Sequence, residues 1–185
     1  MKRINSFLLV SILFTFFSCI KNDPVEFRET LVEFDATSWN PNTAYTPKPD
    51  SVAFAIVARV PATGRAVTTA ADAALTRSSG TVTLRVNLVG AQRTTDTEVN
   101  YSVLTNYLLI SPTAGISPAI AGTHYTALPG KVTIPANSSF GTINIVILNP
   151  GPGTGSRELV LKLEESNSIK PNKNYSIVGL RISQL

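Results

Sequence analysis

The chain is poor in the residues from which most reactive centres are built: it holds one cysteine, one histidine and one tryptophan in 185 residues. A single cysteine, Cys19, cannot close a disulfide within the chain. Cys19 and His124 together fall short of the three or four thiolate or imidazole ligands that a zinc or copper centre takes, so no metal site is expected. A histidine acts as general base only beside a nucleophile and an orienting acid. His124 instead stands at the start of a predicted strand, where a polar residue hydrogen-bonds locally. Glu164 and Glu165 are adjacent carboxylates, and neighbours on a strand point to opposite faces, which excludes them as an acid/base pair. Gly151-Pro152-Gly153-Thr154-Gly155 has neither the lysine nor the helix of a phosphate-binding loop. Charged residues make up only 15 %. The arginines are scattered singly (Arg59, Arg65, Arg77, Arg85, Arg93), so no basic face for nucleic acid forms. Of the formal net charge of +4, Lys2 and Arg3 supply two. These absences predict no catalytic residues, no cofactor and no enzymatic activity.

Long apolar runs are scarce too. The one at the start, Phe7-Leu8-Leu9-Val10-Ser11-Ile12-Leu13-Phe14-Thr15-Phe16-Phe17, is shorter than the roughly 20 residues that span a bilayer. With Lys2 and Arg3 before it and a small residue, Ser18, after it, the run has the three parts of a secretory signal. A signal ending in Ser18-Cys19 resembles that of a bacterial lipoprotein, although Phe16 stands where the usual motif has leucine. The resemblance implies that residues 1–18 are removed and that the Cys19 sulfur is lipidated. Lipidation also consumes a thiol that would otherwise invite pairing in an oxidising compartment. Stable anchoring takes two acyl chains or more, which a diacylglyceryl cysteine provides. Plain secretion and an uncleaved anchor are the alternatives. Residues 19–28 then form the lipidated cysteine and a tether, in which Lys21-Asn22-Asp23 resembles the surface-export signal of Bacteroidota-type lipoproteins. The expected location is the outer membrane, lipid-anchored, on the cell surface.

About 167 residues remain after cleavage, the size of one domain, assigned to residues 29–185. Their pattern is β. Thr30–Phe34 and Ser51–Val60 read as strands, separated by a Pro- and Asn-rich stretch that breaks regular structure. Pro61–Gly80 is the least determined part, with one or two helical turns expected at Ala70–Leu75. Val82, Leu84, Val86 and Leu88 alternate with polar residues, as do Val99, Tyr101 and Val103. His124–Thr126 and Lys131–Ile134 read as a short pair around Pro129-Gly130. In Phe140–Leu148 the residues Val146 and Leu148 break the alternation and suggest cover on both faces. Pro150–Gly155 reads as a hairpin loop, and Leu159–Leu163 and Tyr175–Ile182 as the last strands. Eight or so short strands without a useful helix predict an all-β, antiparallel, immunoglobulin-like β-sandwich, with a closed barrel as the alternative.

The run Gly122-Thr123-His124-Tyr125 through Val132-Thr133-Ile134-Pro135-Ala136 resembles the Calx-β unit, in which Gly-x-Asp-Tyr leads through a turn to a Val-Thr-Ile-Pro-Ala strand. The similarity continues through the strands at Phe140–Leu148 and Arg157–Glu164, so residues 81–185 are the most family-like part. The chain also resembles immunoglobulin-like domains of Bacteroidota surface lipoproteins. Calx-β domains that bind calcium carry clustered carboxylates in their end loops, because Ca²⁺ takes six to eight oxygen ligands. Here the loop Asn149–Ser156 holds none, and His124 replaces the motif's aspartate, so no calcium is expected there.

Two further features bear on binding. Trp39, Asn40, Asn42 and Tyr45 combine flat rings with amides, the chemistry of a glycan platform; the alternative is that Trp39 packs over one end of the sandwich. Asp50-Ser51-Val52 resembles a Bacteroidota O-glycosylation site, with Ser51 the acceptor. The leading expectation is a non-enzymatic, membrane-anchored binding or accessory module of the cell envelope. Its partner is a glycan or an outer-membrane protein complex, with no nucleic acid. The alternatives are a structural or adhesive spacer making protein–protein contacts, and a hydrolase with scattered carboxylates.

Overall fold

A computed structural model describes residues 29–35, 54–60, 69–105, 116–166 and 168–185. They form ten strands: β1 (Leu31–Phe34), β2 (Ala55–Val57), β3 (Thr81–Val89), β4 (Thr97–Val103), β5 (Ile116–Pro118), β6 (Lys131–Ile134), β7 (Phe140–Val146), β8 (Ser156–Leu163), β9 (Lys170–Pro171) and β10 (Ile177–Ser183). A four-stranded sheet runs β7-β3-β1-β9 and a six-stranded sheet runs β2-β10-β8-β4-β6, with β5 also on β8. The chain is thus an all-β sandwich. The long pairs, β3 with β7 and β10 with β8, are antiparallel. Three short pairs are parallel and make both sheets mixed: β9 on β1, β2 on β10 and β5 on β8. Each is a strand of two or three residues brought in by a separate stretch of chain, and a separate segment can pair in either direction, whereas a tight hairpin cannot.

Period-2 patterning decides which face each strand buries. In β3, Val82, Leu84, Val86 and Leu88 face the core, while Thr81, Thr83 and Arg85 are exposed. In β7, Ile143 and Ile145 face the core and Val146 is 41 % exposed, so β7 is covered on one face only, contrary to the two-sided cover its sequence suggested. A strand that is buried on both faces is β8. Leu159, Leu161 and Leu163 join the main core, while Val160 is buried on the opposite face with Phe54 and Ile56. Those two residues come from the region of β2, a long way off in sequence, so β8 alone carries no sign of them. Each fully buried Leu, Ile, Val or Phe contributes about 1.5–3 kcal/mol.

Three other expectations change. Thr69–Asp72 is a single turn and not a helix, closed by Asp72 N to Thr69 O (3.1 Å) and by Thr69 N to Asp72 Oδ2 (2.6 Å). His124 lies in a turn, with Tyr125 forming only isolated bridges to Ala121 and Ile147. Pro150–Gly155 is not a hairpin loop, because β7 and β8 lie in different sheets and the loop carries the chain across the sandwich. The sheets come together where β6 leads into β7. A Cβ on Gly141 would stand 2.4 Å from Thr133 O, so only glycine permits this approach.

Candidate functional site

Cys19, Trp39, Asn40, Asn42, Tyr45 and Ser51 lie outside the described residues, as do residues 61–68. Within the described residues, polar side chains gather at both ends of the sandwich.

At the crossover end, where β7 and β10 finish and β8 begins, the loop between the sheets is held by its own polar groups. Gly151 N donates to Asn149 Oδ1 (3.0 Å), and Asn149 Nδ2 donates to Ser78 Oγ (3.2 Å). Gly153 N bonds Gln184 O (3.0 Å) and Gln184 N bonds Gly155 O (3.1 Å). The Asn149 side chain is therefore spent on loop geometry. Among the described residues no group of three or more His, Cys, Asp or Glu side chains lies close enough to hold a metal ion.

His124 is 6 % exposed at this same end. Its turn is closed by His124 N to Ile120 O (2.8 Å), and Leu148 N donates to His124 O (2.9 Å), which ties the turn to the end of β7. The ring receives two contacts: Ile120 N lies 3.0 Å from Nδ1 and Arg157 Nε lies 3.2 Å from Nε2. Burial, and then the Arg157 charge, push the imidazole pKa below its ordinary value, against an opposing pull from a hydrogen bond with the Ile120 backbone. Local bonding by His124 was legible in its sequence position; the arginine was not. Arg157 shares a face of β8 with Leu159, Leu161 and Leu163 and so reaches the open end of the core.

Glu158 points the other way, and its side chain has no exposed surface. It is opposite Arg181 in the β8–β10 register, and Arg181 donates to Oε1 through Nε (2.7 Å) and Nη2 (2.5 Å). Burial pushes the Glu158 pKa up, while the Arg181 hydrogen bond and charge oppose that shift. The only sequence signal for either contact is the Arg157-Glu158 dipeptide, charged residues at the head of an otherwise apolar strand.

Among the described residues, two open depressions lie at the opposite end, both lined in part by Lys170. One, of about 410 Å³, is lined by Lys162, Glu164, Glu165, Lys170, Lys173 and Ser176 among others. Glu164 and Glu165 both line it, because β8 ends at Leu163 and strand alternation no longer separates them. Each has its own cation: Lys162 lies 3.1 Å from Glu164 and Lys170 lies 3.6 Å from Glu165. Burial works to raise the Glu164 pKa, but the Ser102 hydrogen bond and the Lys162 contact together hold it below the ordinary carboxylate value. The other depression, of about 370 Å³, is lined by Glu29, Thr30, Leu31, Ser166, Ser168, Ile169 and Lys170.

The solved structures similar to this chain include Calx-β domains and Bacteroides proteins. A two-domain protein of unknown function from Bacteroides fragilis matches 84 % of this chain and 45 % of its own, at 12 % identity and a TM-score of 0.50. The Calx CBD1 domain in its apo form matches 59 % of this chain and 86 % of its own, at 17 % identity and a TM-score of 0.46. A Bacteroides ovatus protein proposed to bind carbohydrate matches 58 % of this chain and 32 % of its own, at 14 % identity and a TM-score of 0.41. The chain thus spans under half of either Bacteroides protein. Such identities speak to fold alone. No protein-family model and no curated protein matches the chain.

Proposed function

We propose that this chain is a non-enzymatic binding or accessory module, lipid-anchored at Cys19 on the outer face of the cell envelope, with a glycan as its leading ligand class. The observation that carries the anchoring is the Phe7–Phe17 apolar run ending at Ser18-Cys19. Support for binding over turnover comes from what the ionisable groups do: His124 is engaged by Ile120 and Arg157, and Glu158 by Arg181. Support for a glycan is the Trp39, Asn40, Asn42 and Tyr45 group, whose rings stack on sugar faces and whose amides meet hydroxyls. Protease shaving of intact cells, with mass spectrometry of the mature N-terminus and a Cys19→Ala control, tests the anchor. A lipidated N-terminus and a domain released by shaving support it; an unmodified Cys19 overturns it. Glycan-array binding that is lost in Trp39→Ala supports the ligand class. Array silence alongside recovery of one protein partner would move the reading to an adhesive spacer.

A further inference from the structure

Among the described residues β7 is an edge of the four-stranded sheet, with β3 on one side and no strand on the other. Leu88 N donates to Ser139 O (2.8 Å) and Ile147 N to Gly80 O (2.9 Å), which fixes the odd-numbered residues of β7 as those that bond β3. Antiparallel pairing alternates, so the main-chain N–H and C=O of Phe140, Thr142, Asn144 and Val146 point outward. The chain caps both ends of this edge itself. Ser138 Oγ accepts from Phe140 N (3.2 Å) and donates to Phe140 O (2.9 Å), and Thr126 N donates to Val146 O (3.0 Å). Between the caps, Thr142 and Asn144 have no main-chain partner on the outer side among the described residues.

A bare edge is a template for another strand, and proteins guard such edges with brevity, charge or proline. The other sheet edges carry these guards: β9 has two residues and ends in Pro171, β2 has three residues, and β6 bears Lys131. In contrast, β7 is seven residues long and its sequence, Phe-Gly-Thr-Ile-Asn-Ile-Val, holds neither charge nor proline. Of the four large apolar side chains exposed among the described residues, two lie on it, Phe140 and Val146. Both point to the outer face of the sheet, where the Arg85 guanidinium lies 3.7 Å over the Phe140 ring.

We propose that β7 pairs antiparallel with β7 of a second copy of this chain, about a two-fold axis at Thr142. The edge fits its own copy. Phe140–Asn144 is centred on Thr142, so the stretch between the caps of one chain meets the same stretch of the other. Thr142 then exchanges both main-chain bonds with Thr142 of the second copy, and Asn144 pairs with Phe140 at each end. Phe140 also reaches the Val146 of the second copy along the diagonal, so the exposed apolar side chains cover one another. With no charge on the strand, the two-fold sets no like charges opposite each other. The two four-stranded sheets become one continuous sheet. The surface is separate from Trp39 and needs no lipid anchor, so it stands or falls apart from the glycan reading.

The chain has a single cysteine, so Cys19→Ala leaves a thiol-free background in which one added cysteine reports on the register. The full chain carrying Cys19→Ala is oxidised with copper phenanthroline in mild detergent, which keeps the Phe7–Phe17 run from driving association, and covalent dimer is read on a non-reducing gel. Directly opposed residues of a bonded antiparallel pair have Cα atoms about 5.5 Å apart, within disulfide range. Thr142→Cys should therefore cross-link, with a yield that rises with protein concentration. Thr83→Cys is the control: it is exposed on the same face of β3, but three strand spacings put it at least about 14 Å from its copy. Its yield should be at least tenfold lower. Asn144→Pro removes an outward N–H that β3 does not use, and should lower the Thr142→Cys yield about tenfold. Phe140→Ser, which serves where the proline variant does not fold, should lower it about threefold. No covalent dimer from Thr142→Cys overturns the proposal and leaves the edge to a different partner or to none. Equal yields at the two positions, or a Thr142→Cys yield that neither second substitution lowers, overturn it as well.

Discussion

Replacing Arg181 by methionine removes the two contacts that Arg181 makes with a carboxylate whose side chain has no exposed surface. Breaking a buried pair by deleting one partner costs about 3–5 kcal/mol, because the surviving charge keeps its desolvation penalty and loses the attraction that offset it. For a domain of this size, 1 kcal/mol moves the melting temperature by about 2–4 °C, so Arg181→Met should melt roughly 6–20 °C below the parent. The penalty has a pH signature. The folded Glu158 already has a raised pKa, and losing Arg181 raises it further. A folded state that binds more protons than the unfolded one loses stability as pH rises from the ordinary carboxylate value, 4.5, to the folded value. The variant should therefore be least impaired near pH 4 and most impaired at neutral pH. A second change, Glu158→Leu, removes the charge and should recover most of the loss, since apolar replacements of buried pairs are often neutral or better. Urea unfolding of the parent, the single and the double variant at pH 4 and pH 7.5 measures this. A loss under about 1 kcal/mol in Arg181→Met, or a double variant no better than the single, would refute the reasoning.

His124 adds a second pH dependence of opposite sign. Its folded pKa is lowered, so the unfolded chain binds a proton that the folded chain does not, and stability should fall as pH drops below the ordinary value of 6.5. Among the described residues the ring meets one charged group, Arg157, which strengthens the effect. Urea unfolding at pH 7.5 and pH 5.5 should show the loss, at most about 1.4 kcal/mol per pH unit, and His124→Gln should flatten it. Gly141→Ala places a Cβ 2.4 Å from Thr133 O and should cost at least 1–3 kcal/mol, the usual range for overpacking, in a thermal melt. An unchanged melting temperature would mean that β6 and β7 do not meet as described. Leu161→Ala, emptying a fully buried position in β8, should cost about 2–5 kcal/mol without altering the His124 titration.

Side-chain alternation is a local property, and it was enough to find β3, β4, β7 and β8, and with them the all-β class. Composition did the same for the crossover loop, where Pro150 to Gly155 announces irregular backbone without saying where the chain goes next. The destination depended on which faces the two sheets bury against each other. As a result β7 and β8, adjacent in sequence, stand in opposite layers. The parallel additions of β5 and β9 were equally hidden, because strands of two or three residues carry too few side chains to display a period, while β2, found within Ser51–Val60, gave no sign of its parallel pairing with β10. The polar pairs show the same division. Arg157 and Glu158 were visible as charges in an apolar strand, but their partners, His124 and Arg181, are 33 and 23 residues away. Sequence alone determined which residues want burial and which need a partner. Only the tertiary structure decided which partner each one met, since cross-strand register is settled by long-range packing and not by the residues on either side.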